Sequence, residues 1–132
     1  FRPAEVAGHK IKKSHEPGRA DDAPVITLVR NPDILADISA DRRRPGQVIV
    51  GFAAETGDET GGILDHAREK LARKGCDLLV VNEVGDGKAF GTLDNTVTIL
   101  DRVVSAVSAG PAGKDEISHA VWDAVRRVLP AR

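Results

Sequence analysis

Methionine is missing from all 132 residues, and the chain opens on Phe1. A primary translation product begins with Met, so a processed chain or a portion of a longer polypeptide is expected. The opening "FRPAEVAG" reads as chain interrupted within a domain, and it lacks the form of a secretory leader. Cysteine is nearly missing as well. Cys76 alone rules out an internal disulfide framework and fits a reducing compartment. Aromatic side chains are scarce, with three Phe, one Trp and no Tyr, which leaves no stacking platforms for nucleic-acid bases. Excess charge is missing: the formal net value is −1, so no global field draws the chain to nucleic acid or to an anionic membrane. No apolar run approaches the roughly 20 residues of a membrane span.

What is there is an ordinary globular composition, 41% hydrophobic and 30% charged, on a chain long enough for one domain with a core. Residues 1–24 are poor in apolar residues and rich in breakers (Pro3, Gly8, Pro17, Gly18, Pro24), which reads as a loop region. The β-branched run "VITLV" (25–29) reads as a strand. "NPDILADISADRR" (31–43) reads as a helix with Asn31 as cap, Pro32 in the first turn, and Ile34, Leu35 and Ile38 on its apolar face. "QVIVGFA" (47–53) and "CDLLVVN" (76–82) are apolar on both faces, as in the middle of a covered sheet. Between them, Ile63, Leu64, Ala67 and Leu71 mark a helix that Gly75 can cap. "TVTIL" and "VVSAV" flank Asp101-Arg102 as a hairpin. A last helix runs from about Lys114 to Leu129, with Ile117, Val121, Trp122, Val125 and Val128 on one side. This alternation predicts an α/β domain: a mostly parallel sheet with an antiparallel C-terminal hairpin. The expected organisation is one domain, residues 1–24 being a loop region and 25–132 the α/β core.

Ligands in such sheets bind outside the carboxyl ends of the strands. Those ends are expected at Arg30 to Asp33, at Phe52 to Glu55, and at Asn82-Glu83. Lys70 and Lys74 share a helix face. Spacing alone leaves two readings open: an anion site, or two lysines whose stems cover the core while their heads stay in water. "HKIKK" (9–13) offers Lys10, Lys12 and Lys13 to phosphate oxygens, or is simply a solvated loop. "NPDIL" offers the free N–H groups of a helix start, or is only a capped helix. The small residues of "GFAAET" suit either a close ligand or close packing. The Gly-rich stretch "GDGKAFG" fails as a phosphate loop, because Ala89 follows Gly-Lys and Asn82 stands where the first glycine is needed. His9, His15, His66 and His119 have no metal-type spacing. Cys76, at a helix-to-strand junction, suits a small buried residue better than a nucleophile.

The order "HKIKK", "NPDIL", "GFAAET", "AREKLARKGCDLLVVNEV", "AFGTLDNTVTIL" and a C-terminal helix resembles the phosphopantothenate–cysteine ligase domain. That domain is usually the C-terminal half of the bacterial bifunctional flavoprotein of coenzyme A biosynthesis. The resemblance spans residues 1 to about 129. It implies a three-layer Rossmann-like domain that forms a homodimer in the cytoplasm, with neither nucleic acid nor membrane as partner. It implies ligation of 4′-phosphopantothenate to cysteine with CTP and Mg²⁺ through an acyl-cytidylate. It implies FMN only in a fused or associated flavin-dependent phosphopantothenoylcysteine decarboxylase. Residue by residue, the essential lysine of the family's K-x-K-K motif matches Lys10. The backbone stretch that contacts the nucleotide matches Pro32, Asp33, Ile34 and Leu35. The nucleotide-contacting Phe matches Phe52, and the two helix lysines that contact CTP match Lys70 and Lys74. No Mg²⁺ ligand is carried over. In the family a Gly-rich strand–turn–helix, a phosphopantothenate-binding Asn and an Ala-rich strand ending in Asp precede the position of Phe1, so this chain by itself is expected to be an incomplete enzyme. Two readings compete with the ligase: a nucleotide-binding module without ligase activity, and a structural partner subunit.

Overall fold

The computed structural model describes residues 1–11, 24–55, 62–84, 94–103 and 106–130. Lys12, Lys13, the loop through residue 23, and the Gly-rich stretch "GDGKAFG" (85–91) lie outside the described residues. The chain divides into two compact units, Phe1–Asp33 and Ile34–Arg132.

In the first unit, strands β1 (Arg2–Pro3) and β2 (Leu28–Val29) pair antiparallel. The Ala4 amide donates to the Thr27 carbonyl at 2.9 Å. The five-residue strand expected at 25–29 therefore shrinks to Leu28–Val29, and it does not enter the four-stranded sheet. Val25, Ile26 and Leu28 are exposed, since a two-stranded ribbon has no second layer to bury them against. Asn31 does not begin a helix. Its amide nitrogen donates to the Phe1 carbonyl at 3.2 Å, and Arg2 Nη1 donates to the Arg30 carbonyl at 2.9 Å.

The second unit opens with helix α1 (Ile34–Ala40), shorter than the expected span 31–43. A turn ends it. Pro45, inside that turn, cannot supply a helical N–H and disfavours helix at Arg44, so the helix does not resume there. The Gln47 amide closes onto the Arg44 carbonyl at 3.2 Å, and Gln47 Oε1 accepts from the Arg43 amide at 3.1 Å. Leu35 packs against the core, whereas Ile34 and Ile38 are exposed, which narrows the expected apolar face to one residue.

The main sheet has the order β3 (Val50–Glu55), β4 (Leu78–Glu83), β5 (Asp94–Asp101), β6 (Ala106–Gly113). Strands β3 and β4 run parallel, in register from Val50 opposite Leu78 to Glu55 opposite Glu83. Strand β5 lies antiparallel to β4, and β6 antiparallel to β5, which is the expected C-terminal hairpin. Helices α2 (Ile63–Lys74) and α3 (Lys114–Val128) cover opposite faces. On the α2 face, Leu79 and Val81 join Ile49, Ala67, Leu71, Cys76 and Leu100. On the α3 face, Leu78 and Val80 join Val97, Ile99, Ile117, Ala124 and Val125. The unbroken apolar run 78–81 follows, because β4 has a hydrophobic layer on each side. Leu64 and Trp122, both expected on buried stripes, are exposed at 39% and 65%.

Gly75 caps α2 as expected, with φ 65° and its amide bonded to the Leu71 carbonyl at 3.0 Å. A Cβ there meets only Ser39 Cβ, at 3.7 Å, so conformation rather than space demands glycine. Replacing Gly75 by Ala is expected to destabilise the fold by about 1 kcal/mol, because L-residues resist the left-handed region. Urea denaturation reads this directly, and an unchanged midpoint refutes it.

Candidate functional site

Strand β3 alternates its side chains between the two faces. Gly51, Ala53 and Glu55 turn toward α2, whereas Val50, Phe52 and Ala54 turn toward α3. Gly51 is a packing glycine: a Cβ built on it stands 2.7 Å from Leu35 Cδ2 and 3.0 Å from Leu79 Cδ1. Of the two readings of "GFAAET", close packing therefore holds at Gly51 and at Ala53, which lies against the core. Ala54 and Phe52 are exposed, Phe52 at 72%.

Lys70 and Lys74 lie on one face of α2, both half-buried. The Lys70 ammonium forms an ion pair with Glu55 Oε1, with 27% of the lysine side chain and 15% of the glutamate side chain exposed. This pairing joins the middle of α2 to the last residue of β3. Glu55 and Lys70 stand too far apart in the chain for any helical or strand period to signal the contact. Lys70 thus belongs to the carboxyl end of the parallel strands, beside the small residues of β3, whereas Lys74 ends α2 one turn further on, next to the Gly75 cap.

Phe52 sits on the other face. It borders a groove of about 460 Å³ with Val48, Val50, Val121, Trp122 and Lys114. The sheet thus separates Phe52 from Lys70, although three positions of one strand separate Phe52 from Glu55. In the first unit, Lys10, Pro32 and Asp33 are exposed. Ile34 opens α1 exposed, and Leu35 is absorbed into packing. The structure therefore brings Lys70 and Lys74 together, leaves Phe52 accessible on the opposite face, and gives Leu35 a core role.

A second polar cluster, which no sequence pattern flagged, lies at the opposite end of β4. Arg42 Nη1 donates to Asp77 Oδ2 at 2.6 Å and to the Gln47 carbonyl at 2.6 Å, and Arg42 Nη2 donates to the Gly75 carbonyl at 3.1 Å. The Ile49 amide donates to the same Asp77 oxygen at 2.7 Å. Arg102 donates to the carbonyls of Cys76 and Gly75 and stands 3.5 Å from Asp77 Oδ1. Burial by itself raises the Asp77 pKa, yet the Arg42 and Ile49 hydrogen bonds and the two guanidinium charges outweigh it and hold the pKa below 3.8. These bonds join the turn after α1, the start of β4 and the end of β5, so the cluster acts as a fastening between them. The thiol of Cys76 is fully buried, and burial pushes its pKa up, which agrees with a packing role. Among the described residues no group of three or more His, Cys, Asp or Glu is placed to hold a metal, and no helix is long and apolar enough to cross a membrane.

Residues 1–129 match the family model described as "DNA/pantothenate metabolism flavoprotein C-terminal domain". The chain is 48% identical to the coenzyme A biosynthesis bifunctional protein CoaBC of Mycobacterium tuberculosis (strain ATCC 25618 / H37Rv), across 95% of this chain and 30% of that protein. It is 51% identical to the protein of the same name from Mycolicibacterium smegmatis (strain ATCC 700084 / mc(2)155), across 83% and 27%. The chain thus spans less than a third of the length of these relatives. Among solved structures, a crystal structure of the C-terminal domain of CoaBC superposes with a TM-score of 0.59 at 24% identity, covering 77% of this chain and 44% of that one. The DNA/pantothenate metabolism flavoprotein from Streptococcus pneumoniae superposes with the same TM-score of 0.59 at 17% identity, covering 82% and 45%. At these identities the two structures bear on fold alone.

Proposed function

Because the chain belongs to the DNA/pantothenate metabolism flavoprotein C-terminal domain family, we propose that it forms part of a phosphopantothenate–cysteine ligase acting in coenzyme A biosynthesis. The observation that carries this reading is the half-buried Lys70 of α2, tied by Glu55 to the carboxyl end of β3. That is the end at which open α/β sheets bind ligands. Lysine suits the oxygens of a nucleotide triphosphate as a compact point charge.

In this reading the carboxylate of 4′-phosphopantothenate attacks the α-phosphorus of CTP and expels pyrophosphate. The acyl-cytidylate then loses CMP to the amine of cysteine, and an amide forms. Anion attacks anion in the first step, and charge grows on the departing pyrophosphate. Fixed cations aimed at those oxygens lower that barrier. The resemblance gives Lys70 and Lys74 to the triphosphate, Lys10 to neutralising charge during attack, and the backbone of Pro32 to Leu35 and the ring of Phe52 to nucleotide contacts; Phe52, which the sheet separates from Lys70, is not assigned to the same phosphates. The choice of CTP follows the resemblance to the bacterial enzymes. Mg²⁺ would accompany the triphosphate and offset its charge, and no residue of this chain is assigned as its ligand. A homodimer and a fused or associated FMN-dependent decarboxylase complete the reading. The names of the relatives support the fusion, each being called bifunctional.

The test is pyrophosphate release from CTP, 4′-phosphopantothenate and cysteine by the full-length polypeptide that carries this chain. Lys70→Ala and Lys74→Ala are each expected to weaken CTP binding about tenfold, the cost of one charge-assisted contact. No turnover with CTP, or CTP affinity indifferent to both substitutions, overturns the reading.

A further inference from the structure

Glu55 is a carboxylate placed where an anion-binding site gains no attraction from one. It is the last residue of β3, its carbonyl accepts from the Val84 amide at 3.0 Å, and its side chain is mostly buried. Its Oε1 is shut off from solvent, and among the described residues the Lys70 ammonium is the group that meets it and balances its charge. A carboxylate desolvated in this way without a cation is strongly disfavoured. The pair therefore stays together when other anions approach.

Lys70 lies seven residues into α2 from Ile63, about 10 Å along the helix axis at 1.5 Å per residue. A free lysine stem at that depth samples many rotamers, at about 2 kcal/mol of side-chain entropy. Helical side chains lean toward the helix N-terminus, and the contact with Glu55 selects the rotamers that carry the ammonium to the end of β3. An ammonium has three N–H donors. One serves Glu55, two remain, and the side chain keeps 27% of its surface exposed for a ligand to reach. A site tuned only for tight anion binding omits the glutamate, whose charge subtracts from the field of the lysine. A site tuned for geometry keeps it, because a reacting phosphate needs its cation in one place.

We propose that Glu55 is a positioning residue: it fixes the Lys70 ammonium at the carboxyl end of β3, with two donors free for the oxygens of a nucleotide phosphate. This rests on the reading of Lys70 as a phosphate ligand. The experiment is a double-mutant cycle in the full-length polypeptide, with Glu55→Gln, Lys70→Ala and the double variant, following kcat and KM for CTP and for cysteine. Glu55→Gln is expected to lower kcat/KM for CTP about tenfold and to leave KM for cysteine unchanged. In the Lys70→Ala background the same change is expected to cost nothing further, since the residue through which Glu55 acts is gone. A Glu55→Gln loss that multiplies with that of Lys70→Ala, or no loss at all, overturns the proposal. A loss spread equally over CTP and cysteine also overturns it, because that is what a merely structural role produces. If Lys70→Ala leaves CTP kinetics intact, the phosphate-ligand reading fails first and this proposal falls with it. Should Glu55→Gln not accumulate as folded protein, Glu55→Asp carries the same cycle with the charge kept and the reach shortened by one methylene.

Discussion

Lys10→Gln in the full-length polypeptide is expected to slow formation of the acyl-cytidylate by a factor of about 10² to 10³, the usual cost of removing one cationic or hydrogen-bonding group from a charge-developing centre. Glutamine retains length and polarity, so the loss isolates the charge. Lys10 is exposed, so the substitution removes charge with little packing. Folding should therefore be unaffected, and the defect should lie in kcat more than in the KM for CTP. Rapid quench with α-labelled CTP separates intermediate formation from its capture by cysteine. A normal burst of acyl-cytidylate in Lys10→Gln would remove Lys10 from the chemical step. A slowed burst matched by an equal loss of thermal stability would reassign it to structure.

Asp77→Ala is expected to destabilise the fold by about 2 to 3 kcal/mol, in the range for breaking a largely buried charged hydrogen-bond cluster. Removing the carboxylate deprives Arg42 of its charge partner and the Ile49 amide of its acceptor. It also loosens Arg102, which stands 3.5 Å from the other oxygen. Asp77 has a folded pKa below its ordinary value, so the sign is fixed. Its contribution is fully present above the unfolded pKa near 3.8 and is lost as pH falls through the lower folded value. Urea midpoints of wild type and Asp77→Asn should therefore differ by a constant amount above about pH 5 and converge on acidification. A gap that persists to pH 2, or that opens only at alkaline pH, contradicts the assignment of the effect to this carboxylate.

The sequence exposes most of the elements and little of the site. Helix α2 is legible because Ala67, Leu71 and Gly75 combine a 3.6-residue period with a glycine stop. Strand β4 is legible because a run apolar on both faces needs a layer on each side. Strand β2 misleads: a β-branched run predicts extended backbone, but pairing requires a neighbour that local sequence does not specify, and only Leu28–Val29 find one. Helix α1 misleads at both ends. Asn31 has the right chemistry for a cap yet is drawn to Phe1 across a long stretch of chain, and the helix ends at Ala40, ahead of a turn closed by Gln47 on Arg43 and Arg44. Trp122 sits in an amphipathic pattern, and nothing in that pattern says that its surroundings leave it open.

The sequence by itself determined the chemistry available: candidate anion-binding lysines in the 10–13 stretch and at 70 and 74, a single cysteine, four aromatics, and a run of motifs in the order of one family. Those properties are one-dimensional, set by residue type and spacing. Tertiary structure alone decided which charges meet. Folding β3 beside α2 joined Glu55 to Lys70, and the pleat turned Phe52 to the face opposite that lysine. The turn after α1 carried Arg42 to Asp77. Ion pairs between residues far apart in the chain depend on distance in space, which falls off sharply in effect and leaves no period in the sequence.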